Sequence, residues 1–501
     1  MKSIIRYSTL CIIGISFTMT SCNILDSQPI SEIPENQMWQ NERDVNAGIA
    51  EIYSSFRTAL RANWFCWGEM RSDNFVLAQE LPSEYSNLIL NQMTTDLPCT
   101  NWTTLYKVIS NTNFAIKHIP DANITDQALK SDYLGQAYAM RALCYFYATR
   151  VWGAVPVYTE PVDNIANAAV KGRTDRDEVM RNVILPDLER ALELINPANV
   201  ERKRISRNAI YAIMADVQMW LGEWEAADAT IDLFMAANGS PSAATSNSKV
   251  KFQKDIVELK NTFVNDLNNK PGNNNPLVDE YGDDNEFIFV IHQNVSEAGL
   301  NNYSLIWSIL GCGMGQGATV VLSPKLQAIY EAGIATAPAD KRFEQYLCPN
   351  RSSAETYQVH KYMANGTAVK YQDYINCQVA YPIYRYTDVL LMQAEVKAQL
   401  SKWQDALNLI QFVAERAGVA SKLPSVSDFA STDELIDFIL DQKQIEQVGE
   451  GKRWFDLVKY HKAVEVMNPI NGLSSQDEEL FPIHQSVLNL CQGAYEQNKG
   501  Y

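Results

Sequence analysis

The fold of this chain is decided by residues 137–156, whose sequence is AYAMRALCYFYATRVWGAVP. In and just before this stretch, apolar residues recur at intervals of three and four, the spacing that places them on one face of an α-helix. The residues of that face are Tyr133, Ala137, Met140, Cys144, Tyr147 and Val151. Asp126 is suited to cap the start of the helix, and Gly153 followed by Pro156 is suited to end it. The stretch therefore predicts one long helix.

The same helical period extends over two larger regions. Residues 42–235 and residues 383–466 both carry apolar positions three and four apart. Residues 240–380, which lie between them, differ in composition. Residues 239–248 are rich in Gly, Ser, Ala and Pro and are expected to form a loop, whereas residues 287–291 (FIFVI) form a short β-type run. We expect an all-α scaffold whose second half is rich in loops and carries a few short strands and helices.

A spaced pattern of five residues occurs twice in the helical regions. The two copies are Ala215, Leu221, Gly222, Trp224, Ala227 and Ala394, Leu400, Ser401, Trp403, Ala406. In each copy a helix would end in a tight turn, and a Trp would open the next helix with an Ala where the two helices meet. This pattern resembles a tetratricopeptide helix-turn-helix unit. Two unrelated helical hairpins are the alternative interpretation.

Composition and charge restrict the class of protein. The chain has 501 residues, of which 46% are hydrophobic, so it can bury a substantial core and is not a disordered chain. Its 42 Lys and Arg against 59 Asp and Glu give a net charge of −17. An acidic chain is poorly suited to nucleic acid, because binding there depends on cations that neutralise phosphates. We therefore expect no nucleic-acid partner.

The first residues have the features of a secretion signal. Lys2 and Arg6 precede an apolar stretch at residues 9–19 that is too short to span a bilayer as a helix. The sequence Met-Thr-Ser-Cys at residues 19–22 resembles a lipobox, so we expect residues 1–21 to be removed and Cys22 to carry the acyl chains of a membrane anchor. An ordinary signal peptide followed by a buried cysteine is the alternative.

Known catalytic and metal-binding patterns do not occur in the sequence. The seven cysteines after Cys22 have wide spacings without a Cys-x-x-Cys pair, so most are expected to be buried as small apolar residues. A single disulfide between two of them is the alternative. The five histidines have no metal-ligand spacing. The acidic residues at 279–286 lack the spacing of a calcium-binding loop and are interpreted as a solvated turn. We therefore predict no metal, no cofactor and no catalytic residue.

Several segments together resemble the SusD/RagB family of Bacteroidetes outer-membrane nutrient-binding lipoproteins. The most specific is the stretch at residues 137–156, which contains Arg141, Tyr145 and Arg150 followed by Val-Trp-Gly. The other matching segments are QMWQNE (37–42), IYSSF (52–56), YRYTDVLLM (384–392), QIE (444–446), GKRWFDL (451–457) and LFPI (480–483). The resemblance covers nearly the whole chain.

This resemblance implies a fold, a location and a partner. Residues 22–240 would form an N-terminal helical region with tetratricopeptide-like units. Residues 241–501 would add the loop-rich ligand side and C-terminal helical hairpins, all in one continuous fold. The protein would be lipid-anchored to the outer membrane and face the cell exterior. It would not be an enzyme, and it would deliver a glycan or oligosaccharide to a SusC-type TonB-dependent transporter.

The charged residues of the matching segments are interpreted as structural. Arg385, Glu395, Arg453, Trp454 and Asp456 lie in segments predicted to be helical. A buried charge needs a partner. We therefore expect these residues to form core pairs that hold helices in register.

Candidate ligand-binding residues follow from the chemistry of sugars. Aromatic faces stack on sugar rings, and planar polar groups hold the hydroxyls. The residues that fit are Trp64, Arg71, Asp73, Asn74, Tyr85, Tyr303 and Trp307. Tyr85, in a polar stretch, is the best candidate for exposure. As alternatives, Trp64 could pack in the core, Arg71 and Asp73 could form a local ion pair, and Tyr303 and Trp307, four apart, could share a helix face.

Two other functions remain open at the level of sequence. One is a secreted glycoside hydrolase or lyase on a helical scaffold, since two carboxylates distant in sequence can meet in a fold. The other is a purely structural tetratricopeptide protein that holds partners and binds no small ligand. Binding and turnover assays with polysaccharides would separate the three.

Overall fold

The long helix predicted from residues 137–156 lies in the interior. It runs from Gln127–Trp152, and the Asp126 carboxylate caps it by accepting hydrogen bonds from the backbone N–H groups of Ala128 and Leu129 at 2.9 and 3.1 Å. Gly153, with φ of +71°, ends it. From Asp132 onward every residue except Leu134 and Tyr138 is buried. A helix buried on all sides belongs to the core of the molecule, so the prediction is confirmed.

The remaining helices are arranged around it. The computed structural model describes residues 38–61, 63–78, 84–162, 169–199, 201–244, 250–263, 286–293, 309–311, 318–350, 353–362, 379–491 and 493–501. The helices there are α1 Glu42–Leu60, α2 Asn63–Gly68, α3 Glu84–Ile89, α4 Thr103–His118, α5 Gln127–Trp152, α6 Arg176–Val179, α7 Leu185–Leu194, α8 Arg207–Trp220, α9 Trp224–Asn238, α10 Ile256–Phe263, α11 Pro324–Ala335, α12 Lys341–Tyr346, α13 Tyr386–Gln399, α14 Trp403–Ala417, α15 Thr432–Glu446, α16 Arg453–Lys459, α17 Ala463–Asn471 and α18 Gln485–Leu490. A π-helical turn, Met180–Ile184, joins α6 to α7. None of these helices has both the length and the apolar character to cross a membrane.

The strands are short and pair two by two. They are β1 Phe75–Leu77, β2 Val155–Pro156, β3 Arg173–Thr174, β4 Gly239–Ser240, β5 Ala243–Ala244, β6 Phe287–Gln293, β7 Val320–Leu322, β8 Leu347–Asn350, β9 Ser353–Val359 and β10 Val379–Arg385. All pairs are antiparallel: β1 with β7, β2 with β3, β4 with β5, β6 with β10, and β8 with β9. The β-type run at residues 287–291 is thus confirmed as a buried strand. Residues 239–244, expected to be loop, form the β4–β5 hairpin instead.

The repeated pattern marks two equivalent helical hairpins. α8 and α9 form the first, α13 and α14 the second, and α9 also packs against α13. The turns carry a positive φ at matching positions, +70° at Gly222 and +59° at Ser401. Ala227 and Ala406, one at each hairpin contact, are fully buried. The predicted tetratricopeptide-like units are therefore present.

A buried ion network joins helices α14 and α15 to strands β6 and β10. Its members are Arg385, Arg416, Lys361, Glu286, Glu446 and Glu450, all buried. Arg385 bridges Glu286 at 2.5 Å, Glu450 at 2.9 Å and Glu446 at 3.1 Å. Arg416 binds the same Glu286 and Glu446 at 3.0 and 2.8 Å. Three cations thus face three carboxylates, so the interior charge is balanced.

Other charged residues of the matching segments behave in the same way. Glu395 pairs with Lys443 and Lys459, each at 2.7 Å, and Asp456 pairs with Lys443 at 2.5 Å. Trp454 is buried. The prediction that these residues form core pairs is confirmed.

The cysteines follow the prediction where the structure describes them. Cys66, Cys99, Cys144 and Cys348 are buried, Cys491 is half-buried, and no disulfide joins any of these five. Burial raises the pKa of the Cys144 thiol well above its usual value and that of Cys348 to about 12. They act as small apolar residues. Cys22, the predicted lipid attachment site, lies outside the described residues, and the predicted boundary at residue 240 stays a prediction.

Candidate ligand-binding site

Asp73, predicted to contact a ligand, is bound by protein cations. It lies in the turn between α2 and β1 and is 1% exposed. Arg453 donates to both carboxylate oxygens at 2.9 and 3.2 Å, and Lys325 donates at 2.9 Å. Burial alone would raise the pKa of Asp73, but the adjacent Arg453 and Lys325 charges outweigh it and bring the pKa to about 2. The Asp73 carboxylate therefore serves to neutralise protein cations in the core.

Arg71 holds the C-terminal segment. Its guanidinium donates to the backbone carbonyls of Glu478 and Glu479 at 2.5 and 2.8 Å and to the Asn91 side chain at 3.1 Å. It also lies over the Trp454 ring, 4.3 Å from the centroid. The alternative of a local Arg71–Asp73 ion pair is wrong, because Arg71 binds Asn91 and the C-terminal segment, whereas Asp73 binds Arg453 and Lys325.

Asn74 belongs to a third buried group. Its side-chain N–H donates to Glu69 at 2.7 Å, and its carbonyl oxygen accepts from Gln444 at 2.7 Å. Glu69 also accepts from the backbone N–H groups of Gly449 and Lys452. Burial raises the pKa of Glu69. The proposed ligand contacts of Arg71, Asp73 and Asn74 gain no support here, because protein groups already occupy their polar atoms and the side chains are buried.

Trp64 is also buried, as the alternative interpretation had it. It lies in α2 with 4% of its surface exposed. Its ring packs against Tyr381 at 5.0 Å and edge-on against Phe65 at 5.7 Å between centroids. Trp67, on the same short helix, is fully buried and donates to the Cys99 carbonyl at 2.8 Å. Trp67 therefore belongs to the core.

Tyr85 is the candidate nearest the surface among those the structure describes. It lies on α3 and is half-buried against the core, so the expectation of a polar loop is wrong in its details. Tyr303 and Trp307 lie outside the described residues. Ile309, two positions after Trp307 in the sequence, is described and buried.

A small ladder brings the flanks of these candidates together. β1 pairs with β7 through Phe75 with Leu322 and Leu77 with Val320. Beyond the strand, the Ala78 N–H donates to the Thr319 carbonyl and the Thr319 N–H donates to the Ile309 carbonyl, both at 2.9 Å. Thr319 therefore links Ala78, at the end of β1, to Ile309. We define this place, residues 75–78, 309–311 and 318–322 together with α3, as the β1–β7 edge.

Metal binding finds no support at this edge. Across the described ranges, no three His, Cys, Asp or Glu side chains are grouped so that they could hold a metal ion. Apart from Glu84 at the start of α3, the residues of this edge are aromatic, apolar or neutral polar. Such a surface suits stacking and hydrogen bonding with a neutral molecule.

Two family models match the chain in complementary parts. The model described as the SusD family matches residues 341–501, and the model described as starch-binding associating with outer membrane matches residues 24–219. The chain belongs to the SusD-like family. Curated relatives of this SusD-like chain include two proteins of Formosa agariphila. SusD-like protein P38 is 29% identical over 96% of this chain and 97% of its own, and SusD-like protein P2 is 23% identical over 97% of both.

Solved structures share the fold. A laminarin-binding SusD-like protein superposes with a TM-score of 0.73 and 21% identity, covering 92% of this chain and 100% of its own. NanU of B. fragilis superposes with a TM-score of 0.72 and 21% identity, covering 95% and 99%. The all-α, tetratricopeptide-like SusD architecture predicted from the sequence is therefore confirmed.

The sequence also missed one place of functional interest. Trp64 lines a polar cleft to which Tyr85 does not contribute. A sequence signal for it is Gly451, between α15 and α16, which lets the backbone approach Trp64 closely.

Proposed function

We propose that this SusD-like protein is a cell-surface lipoprotein that captures a glycan and delivers it to a SusC-type TonB-dependent transporter. One of the two matching family models is described as starch-binding associating with outer membrane, which supports a glycan as the ligand class. A structural neighbour described as laminarin-binding supports the same class. Cys22 is the proposed anchor to the outer membrane, with the protein on the exterior face.

The observation that carries the binding site is the β1–β7 edge. Tyr85, half-buried, has the aromatic face that stacking on a sugar ring requires. The backbone ladder through Ala78 and Thr319 brings Ile309, two positions after Trp307 in the sequence, to this edge, which supports the proposal. We propose Tyr85, Trp307 and Tyr303 as the stacking residues. Asp73 and Asn74, whose backbone carbonyls accept hydrogen bonds from Ser323 directly after β7, then support this site without touching the ligand. We propose no ligand contact for the buried Trp64 and Arg71.

A binding and delivery role needs no chemical step. We propose that the protein is not an enzyme, in line with the absence of a catalytic motif from the sequence. A reducing-sugar assay on the polysaccharide that binds should stay at the level of the buffer over hours. Release of reducing ends that depends on this protein would favour the hydrolase or lyase instead.

Affinity electrophoresis tests the proposed site. Residues 23–501, which contain every described residue, are run through native gels that hold laminarin, starch or a set of other polysaccharides. We expect one glycan to retard the protein. Tyr85→Ala should weaken that binding by about three- to tenfold, the usual worth of one aromatic contact, and Trp307→Ala should do the same.

The matched control is Tyr138→Ala on α5, another half-buried tyrosine. It should bind as the unchanged protein does. Equal retardation of Tyr85→Ala and Tyr138→Ala would place the glycan elsewhere. Retardation by no glycan at all would remove the support for a polysaccharide ligand and leave the purely structural role as the better account.

A further inference from the structure

A second candidate site lies in the helical scaffold, apart from the β1–β7 edge. It is a cleft formed by α2, α5, α8, β10, α13, α15 and α16, which we name the Trp64 cleft. The residues that line it are Trp64, Tyr147, Arg150, Asp216, Trp220, Pro382, Ile383, Tyr384, Asp388, Met392, Lys443, Gln447, Glu450, Gly451, Lys452, Phe455, Asp456 and Lys459. It leaves about 50 Å³ to the centres of water-sized molecules. The side chain of Lys452, one-fifth exposed, marks its mouth.

The charges of the cleft are balanced. Four cationic side chains line it, as do four carboxylates. Each cation already faces a carboxylate: Arg150 lies 3.7 Å from Asp216, Lys452 3.1 Å from Asp388, Lys443 2.5 Å from Asp456, and Lys459 2.7 Å from Glu395. An ion entering the cleft would find its counter-charges engaged. The electrostatics therefore favour a neutral occupant.

Two neutral polar atoms in the cleft lack a partner. The indole N–H of Trp64 and the side-chain oxygen of Gln447 are buried, and neither makes a hydrogen bond within the described part of the chain. Both residues are only 4% exposed. A buried donor or acceptor without a partner costs about 1–3 kcal/mol, so a bound polar molecule is the expected remedy.

The surroundings hold both residues in place. The Gln447 amide nitrogen donates to the Asp388 carboxylate, which leaves the amide oxygen as the group without a partner. Trp64 packs against the backbone of Gly451, where an added Cβ would lie 2.5 Å from the ring. Gln447 and Gly451 both belong to the segment that links α15 to α16, and both line the cleft together with Trp64.

We propose that the Trp64 cleft binds a small neutral polyol. A hydroxyl group accepts one hydrogen bond and donates another, which matches the indole N–H and the amide oxygen. The apolar faces of Trp220, Tyr384 and Phe455 suit the carbon chain. The space corresponds to about three to five water molecules, the bulk of a polyol of about three carbons. This site does not depend on the glycan site at the β1–β7 edge.

Indole NMR tests the proposal directly. In residues 23–501 labelled with ¹⁵N at the tryptophan indoles, the Trp64 resonance is assigned by its loss in Trp64→Phe, or by its displacement in Gln447→Leu if the first variant does not fold. Glycerol, erythritol and glucose are then titrated separately. We expect glycerol to shift the Trp64 resonance saturably, and glucose to shift it less because the ring exceeds the space.

Trp403 supplies the internal control, since its indole N–H also lacks a partner within the described residues but does not line the cleft. Its resonance should not respond saturably. A Trp64 resonance that stays in place, or that drifts in parallel with Trp403, would overturn the proposal and assign the cleft to water alone.

Gln447→Leu tests the acceptor. Loss of one hydrogen bond should weaken glycerol binding by roughly three- to tenfold, whereas unchanged binding would contradict the site. Tyr85→Ala should leave the Trp64 response unaltered. Failure of the glycan site and failure of the polyol site are therefore separate results.

Discussion

Asp73 is predicted from the sequence to contact a ligand, but in the structure it binds buried protein cations. In the sequence it stands beside aromatic and planar polar residues, which is what a sugar site requires. In the structure its carboxylate binds Arg453, 380 positions later. The same hydrogen-bonding groups that recognise hydroxyls also satisfy buried cations, and residue type alone does not separate the two.

Replacing Asp73 with Asn should destabilise the protein strongly. The change leaves the buried Arg453 guanidinium without its counter-charge, and breaking a buried pair in this way costs about 3–5 kcal/mol. Urea unfolding should show the loss in the free energy of unfolding. Asp121→Asn, at an exposed position, should stay within about 0.5 kcal/mol of the unchanged protein. A stable Asp73→Asn variant with weakened glycan binding would restore Asp73 to the ligand site.

At the scale of elements, the connection between α15 and α16 packs closely against α2. Gly451 has φ of +69°, and a Cβ there would meet Trp64 at 2.5 Å. Gly472, which ends α17 with φ of +77°, has nothing within 4 Å of an added Cβ. The two glycines therefore separate backbone strain from steric overlap.

Gly451→Ala should cost clearly more than Gly472→Ala. A left-handed non-glycine residue costs about 1–2 kcal/mol, and forcing extra volume into packed surroundings adds about 1–3 kcal/mol. Chemical unfolding of both variants measures the difference. Equal losses would mean that α2 and α16 adjust to the added methyl group and that the contact with Trp64 is not rigid.

The helical hairpins were predictable because their signal is local. A helix repeats its environment every 3.6 residues, so apolar spacing, a cap and a turn residue identify α5, α8, α9, α13 and α14 without knowledge of their partners. The turn at Ser401 was predictable because Ser401 occupies the same position in the repeated pattern as Gly222. The β4–β5 hairpin was missed because its composition is that of a loop and each strand has two residues.

At the scale of the whole molecule, the balanced interior charges predict acid sensitivity. Burial acts to raise the pKa of Glu446 and of Glu395, but nearby cations, led by Arg416 and Lys443 respectively, outweigh it and bring both to about 2. Asp73 behaves alike. A carboxyl with a depressed pKa stabilises the fold above its usual pKa, near 4, and that contribution is lost as the pH falls towards 2.

The free energy of unfolding should therefore fall steeply below about pH 4.5, by on the order of 2 kcal/mol for each such carboxyl. Urea titrations at pH 7, 5 and 3 would measure it. Glu479 has the opposite sign, because burial raises its pKa to about 7, so its contribution is lost as the pH rises through that value. The pH range in which Glu479 loses its contribution therefore lies above the range in which Glu395 and Glu446 lose theirs. Unchanged stability between pH 5 and pH 3 would contradict the charge network.

What the sequence determined by itself is the helical scaffold, the repeated hairpins, the SusD-like membership and the structural nature of Arg385, Glu395, Arg453 and Asp456. These follow from local period and from contiguous motifs. The tertiary structure alone decided that Arg71, Asp73 and Asn74 are occupied by protein groups, that Ala78 and Ile309 meet through Thr319, and that Trp64 and Gln447 line one cleft. Each of these involves groups that are hundreds of positions apart, and such pairings are selected by the packing of the whole chain rather than by any local pattern.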